Sequence, residues 1–177
     1  MTKKGKYDHS SVSKTNDQTI NILLIGTVGV GKSTLINTFE SCLKDNADQG
    51  IQSIKSSKDM LIPFQYTVDD DSESHVVKIG PNDPNEYYNP SGRSTTQRCK
   101  SYIFDIDCGT KIRLIDTPGF CEDRHVAHDQ PIIDHIMSCI INLTYLDAIC
   151  ILMESGNKKF DAYQIILSRI LDCLGDG

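Results

Sequence analysis

Residues Gly26 to Ser33 read Gly-Thr-Val-Gly-Val-Gly-Lys-Ser and satisfy every fixed position of the phosphate-binding pattern G-x-x-x-x-G-K-[ST]. A loop that wraps a polyphosphate must turn its backbone N–H groups inward, and side chains at Gly26, Gly29 and Gly31 would obstruct that concave path. Lys32 offers a positive charge to the outer phosphates, and Ser33 offers a hydroxyl to Mg²⁺. Thr27, Val28, Val30 and Thr34 complete the predicted cradle, with Thr34 in the first turn of a helix whose N-terminal amides and positive dipole end face the anion. The flanks agree with this reading. Thr19 to Ile25 is a β-branched, apolar run suited to a buried strand, while Leu35, Ile36, Phe39, Cys42 and Leu43 recur at helical spacing.

A second strand-end motif supports the first. Lys111 to Ile115 predicts a strand that ends on Asp116-Thr117-Pro118-Gly119, and an open α/β sheet gathers its ligand at such carboxyl ends. The Asp116 carboxylate can hold Mg²⁺ directly or through water, and Gly119 removes a side chain where a backbone N–H must approach a terminal phosphate. An Asp-x-Pro-Gly turn with no ligand is the plainer alternative, but two strand-end motifs suited to phosphate and Mg²⁺ explain each other. A site that holds Mg²⁺ against a terminal phosphate can also take a second hydroxyl, from a loop beside the sheet. Ser94, Thr95 and Thr96 precede the predicted edge strand Cys99 to Ile106, with Thr96 favoured and Thr95 second. The expected metal set is therefore Ser33, Thr96 and Asp116, and the expected catalytic set Lys32, Thr96 and Gly119.

The chain has 177 residues, 38% of them hydrophobic, which is enough for one domain with a sizeable core. Its formal charge of −6 argues against general affinity for nucleic acid or anionic membrane. No apolar run is long enough to span a bilayer and no signal peptide is recognisable, so a cytoplasmic protein without a transmembrane segment is expected. Seven cysteines without a C-x-x-C pair predict reduced, buried thiols. Residues 1–18 read as a flexible polar tail, and 19–177 as the domain, interrupted by an irregular insertion at about 44–98.

Inside that insertion, Met60 to Val68 and His75 to Ile79 predict a hairpin around Asp69-Asp70-Asp71, a solvated turn rather than a calcium loop. Asp129 is placed to cap a helix with Pro131 in its first turn and Ile132/Ile133, Ile136/Met137 and Ile140/Ile141 on one face. Leu146 to Met153 has the pattern of a parallel strand buried on both faces, and it is expected to form an exposed edge where two further strands should pair and cover it. A final helix is expected to bury Phe160, Tyr163, Ile166, Leu167, Ile170, Leu171 and Leu174.

Leu23 to Phe39, then Gly92-x-Ser94-x-Thr96-Gln97-x-Cys99, then Ile112 to Phe120 together resemble the septin and GIMAP (immunity-associated) branch of the P-loop GTPases. The resemblance runs from about Asn21 to Leu174 and implies an α/β fold of the Ras-like G-domain type, a three-layer α/β/α arrangement around a mostly parallel sheet. It also implies GTP or GDP with Mg²⁺, nucleotide-controlled assembly of copies through the G domain, and Thr96 as the switch threonine. The guanine-reading Asn/Thr-Lys-x-Asp motif and the strands around it are expected beyond Gly177, since Asn157-Lys158-Lys159-Phe160-Asp161 has one residue too many. Departures are local. Cys121-Glu122 stands where septin-like proteins have Gly-Asp, and Phe120 stands where Ras-like enzymes carry a water-orienting Gln, which predicts slow hydrolysis. Arg124, His125 and His128 are candidates for stabilising transferred charge or are plain exposed switch residues; a zinc site from Cys121, His125 and His128 is the least favoured reading.

Overall fold

Where the chain alternates apolar residues it builds a sheet with helices on both faces. The computed structural model describes residues 18–47, 60–70, 74–88, 95–107, 109–120, 126–155 and 161–175. Predictions that rest on Ser94, Cys108, Cys121, Arg124, His125 or the segment 156–160, and nearly all of the predicted tail, lie outside these residues, as does the side chain of His128.

Among the described residues nine elements follow in order: β1 (Gln18–Gly26), α1 (Lys32–Ala47), β2 (Phe64–Asp69), β3 (Ser74–Ile79), β4 (Lys100–Asp107), β5 (Thr110–Asp116), α2 (Val126–Ile141), β6 (Ala148–Leu152) and α3 (Asp161–Gly175). The main sheet has the order β4-β5-β1-β6, and a separate two-stranded sheet is formed by β2 and β3. β1 pairs in parallel with β5 (Leu23 opposite Ile115) and with β6 (Leu24 opposite Cys150), whereas β4 runs antiparallel to β5. The fold is thus mixed α/β with a mostly parallel four-stranded sheet and, among the described residues, three helices.

The pleat of β1 divides its side chains between two cores. Leu23 and Ile25 join Ile115, Phe120, Ile133, Ile136 and Ile140 of α2, and Tyr163, Ile166 and Ile170 of α3. Leu24 faces the other way, with Ile36 of α1, Ile62, Tyr102, Phe104 and Leu114. Asn37 fastens the Ile62 segment to α1, donating from Nδ2 to the Ile62 carbonyl at 2.8 Å and accepting from its N–H at 2.9 Å. Asp147, the one polar residue in the run before β6, accepts from the Asn21 N–H at 2.7 Å, so its charge serves the ladder rather than the core.

The predicted hairpin forms, but only from Phe64, because Leu61 and Ile62 pack under α1 instead of pairing. Four other expectations are corrected. α2 begins at Val126, three residues before Asp129, and Pro131 lies inside the helix, where it forgoes the bond to the Ala127 carbonyl rather than occupying the first turn. Ile141, Leu171 and Leu174 are exposed, the first two lying off their buried stripes and the third a turn beyond Ile170, the last residue of α3 in the core. Cys42 is exposed on α1, while Cys99, Cys139 and Cys150 are half-buried free thiols. Burial on both faces of β6 is not met, although its place at the sheet edge is as expected: with β1 its sole described neighbour in the sheet, Ile151 and Met153 stay 38% and 39% exposed. No helix among the described residues is long and apolar enough to cross a membrane.

Candidate functional site

β1 and β5 are parallel neighbours, so the loops that follow Gly26 and Asp116 leave the same end of the sheet and meet there. A parallel bridge joins Thr27 to Phe120, and the Val28 N–H donates to the Phe120 carbonyl at 3.0 Å. Thr117 fastens the second loop from below, its Oγ1 donating to the Leu24 carbonyl at 2.7 Å. The two motifs found in the sequence are therefore one backbone unit.

The glycines serve this unit in different ways. Gly29 and Gly31 have φ of 78° and 100°, so the turn needs their freedom from a Cβ for conformational reasons; the space around the added carbon is open at Gly29. Gly26 is required by close approach instead, since a Cβ there would lie 2.7 Å from the Leu152 carbonyl oxygen. At Gly119 a Cβ would meet the Val28 Cα at 2.7 Å and its N at 2.8 Å. Replacement of Gly119 by alanine should therefore force the two loops apart and cost about 1–3 kcal/mol of stability. A urea-midpoint measurement checks this, and an unchanged midpoint would mean that the loops separate at no cost.

Lys32 is buried at the start of α1 and donates from Nζ to the Gly26 and Thr27 carbonyls, each at 3.0 Å. Burial pushes its ammonium down to about 8, against the pull of the Asp116 carboxylate. Asp116 is fully buried, and its carboxyl is pushed up by burial despite a bond from Ser33, the Lys32 charge and the Thr117 amide. Both groups are thus displaced toward neutrality, as expected of charges held in a dry site.

Ser33 Oγ donates to Asp116 Oδ2 at 2.9 Å and lies 3.5 Å from Thr96 Oγ1. Thr96 is buried, and its hydroxyl donates to Glu86 Oε2 at 3.2 Å. Each hydroxyl carries one proton. With both protons given to carboxylates, Ser33 and Thr96 face each other lone pair to lone pair, an arrangement that suits a hard cation.

Lys32, Ser33, Thr96 and Asp116, predicted separately, are brought together. Thr96 rather than Thr95 turns its hydroxyl inward, while the Thr95 carbonyl accepts from the Tyr87 N–H at 2.8 Å. Val28 and Val30 are less available than expected, because their N–H groups bond the Phe120 and Thr27 carbonyls. Thr34 lies exposed on the rim of α1 and lines the same cavity. That cavity, of about 220 Å³, opens between Gly29, Lys32, Ser33, Thr96, Glu86 and Phe64.

Glu86 is the residue that sequence reasoning missed. Its segment reads as loop, and long-range bonds bring it to the site, among them the bridge from Glu86 to Thr96, the Gln97 N–H bonded to the Asn85 carbonyl at 2.9 Å and the Arg98 N–H bonded to Asn85 Oδ1 at 3.0 Å. Burial and then the Asp116 charge push its carboxyl up to about 7. Among the described residues no group of three or more His, Cys, Asp or Glu side chains is placed to hold a metal ion. The donor set here is instead two hydroxyls backed by two carboxylates, which fits Mg²⁺ and not a soft metal.

Compared with protein-family models, with curated proteins and with solved structures, the chain gives no match in any of the three.

Proposed function

We propose that the chain is a Mg²⁺-dependent GTP-binding protein built on a Ras-like P-loop G domain, with slow hydrolysis and a nucleotide-controlled switching role. The observation that carries the reading is the meeting of Lys32, Ser33, Thr96 and Asp116 on two joined strand-end loops beside a cavity. Lys32 binds the outer phosphates by exchanging its two carbonyl partners for phosphate oxygens. Ser33 and Thr96 are the ligands for Mg²⁺, and Asp116 orients Ser33 through its 2.9 Å bond. Mg²⁺ held there would supply neutralisation of phosphate charge. Guanine as the base rests on the septin and GIMAP resemblance of Leu23 to Phe39, Gly92 to Cys99 and Ile112 to Phe120.

Displacement of a fluorescent GTP analogue tests the reading. GTP should compete, ATP should compete at least about a hundredfold less well, and EDTA should weaken binding. Efficient competition by ATP would reassign the base, and no binding of either nucleotide would sink the proposal.

A second reading is favoured by one side chain. Phe120 is fully buried and stacks edge-on against Tyr163 at 4.9 Å between centroids, so it presents no hydrogen-bonding group to a water at the phosphates. In that reading the nucleotide orders the loops for assembly of copies through the domain and is not cleaved. Single-turnover phosphate release separates the two: release near or below about 10⁻³ s⁻¹ fits the slow GTPase, and none alongside tight binding fits the assembly module.

A further inference from the structure

Glu86 lies nine-tenths buried against the phosphate-binding loop although nothing in the two motifs requires a carboxylate there. One of its oxygens has an evident task. Oε2 takes the Thr96 hydroxyl proton at 3.2 Å, and a hydroxyl that donates in one direction has its lone pairs directed elsewhere, here toward Ser33 Oγ at 3.5 Å. The other oxygen, Oε1, is buried with no donor among the described residues. An ionised carboxylate oxygen left so is costly, and in native structures such groups have a reason.

We propose that Glu86 is a positioning residue of the cation site, holding the Thr96 oxygen toward the cation it shares with Ser33 and offering Oε1 as acceptor to a water in the cavity. The inference rests on the reading of the site as one for Mg²⁺ and nucleotide. Glu86 stands outside the expected ligand set and acts through Thr96, as outer partners of metal ligands do. Its position is set by the clamp between residues 83–88 and 95–98, in which the Tyr87 N–H bonds the Thr95 carbonyl at 2.8 Å and Lys100 Nζ bonds Asp83 Oδ2 at 2.6 Å. Any ligand that pulls on Thr96 therefore pulls on this second segment as well.

Glu86→Gln is the discriminating variant. It keeps the shape of the side chain but leaves one acceptor, so either Thr96 or the cavity water loses its partner, and it removes a charge beside Asp116, so the fold should not suffer. Affinity for a fluorescent GTP analogue is measured in EDTA and in Mg²⁺, and the melting temperature with and without Mn²⁺ alone. The expected result is a Mg²⁺ gain in affinity that falls about tenfold in Glu86→Gln while affinity in EDTA is unchanged, and a Mn²⁺-induced rise in melting temperature that shrinks in the variant. Thr96→Ala should make the Glu86 substitution nearly silent, because the two act through one hydroxyl. An unaltered Mg²⁺ gain in Glu86→Gln, or an equal loss in EDTA, overturns the inference and leaves the nucleotide reading standing. Failure of the wild-type protein to bind GTP, with the Mn²⁺ shift present and reduced in the variant, overturns that reading and upholds the cation role. Absence of both signals overturns both.

Discussion

Phe120→Ala is expected to destabilise the protein by about 3–5 kcal/mol, the range for emptying a buried aromatic site. The ring has no exposed surface, lies in the core between Leu23, Ile25, Ile115 and the inner faces of α2 and α3, and contacts Tyr163 edge-on. Its removal opens a cavity that rigid neighbours fill only in part, because the β-strands on one side are paired and the helices on the other are shared with Ile133, Ile136 and Ile166. Tyr163 adds to the loss, since its hydroxyl is held by the Leu152 carbonyl at 3.1 Å and the ring cannot swing into the gap without breaking that bond. For a chain of this length the melting temperature should fall by roughly 10 °C. The backbone of residue 120 still offers its carbonyl to Val28, so nucleotide affinity measured well below the transition should fall far less than stability does. A loss under 1 kcal/mol in chemical denaturation would mean that the two helices collapse onto the sheet without the ring. A polar side chain at 120 would carry its amide into this core.

Local chemistry was legible in the sequence wherever one short segment holds the whole signal. The strand before Gly26, the helix after Lys32, the hairpin around Asp69 and the strand ending at Asp116 each follow from periodicity and neighbouring turn residues. Thr96 was reachable because it sits just before an edge strand, and β4 is at the sheet edge. Long-range placement was not legible. Glu86 meets Thr96 through main-chain bonds between two irregular segments, and nothing in either composition announces that pairing. The glycines were read as clearing space for phosphate; Gly119 also clears space for the backbone at Val28 and Gly26 for the end of β6 at Leu152, which depends on tertiary approach. Asp129 and Pro131 look like a helix start on propensity, but the apolar stripe of α2 docked on the sheet carries the helix upstream through them. At β6 the apolar run promised burial on both faces, whereas strand order leaves one of its edges unpaired by any described residue.

If the proposed nucleotide site is right, Lys32→Ala is expected to weaken GTP binding by at least about a hundredfold, because a charge-assisted bond to phosphate in a dry site would be lost with no water able to replace it. The pH dependence identifies the ammonium as the cause. In the folded protein burial holds Lys32 at about 8, below the ordinary 10.5. Between these two values the unfolded chain keeps its proton and the folded, unliganded chain does not, so this group makes the unliganded fold more stable as pH rises through the window. Phosphate needs the charged form. Binding above about pH 8 must take up a proton, and affinity should drop about tenfold per pH unit toward 10.5 while staying level in this respect below 8. The opposite signs of the two effects separate Lys32 from general loss of structure at alkaline pH, which would lower both together. Ionisation of the nucleotide is common to wild type and Lys32→Ala, so the ratio of their dissociation constants isolates the lysine. That ratio should shrink from its full value at pH 7 toward unity by pH 10, and a ratio constant across the range would show that Lys32 stays charged in its cage of carbonyls and that the phosphate never draws a proton into the site.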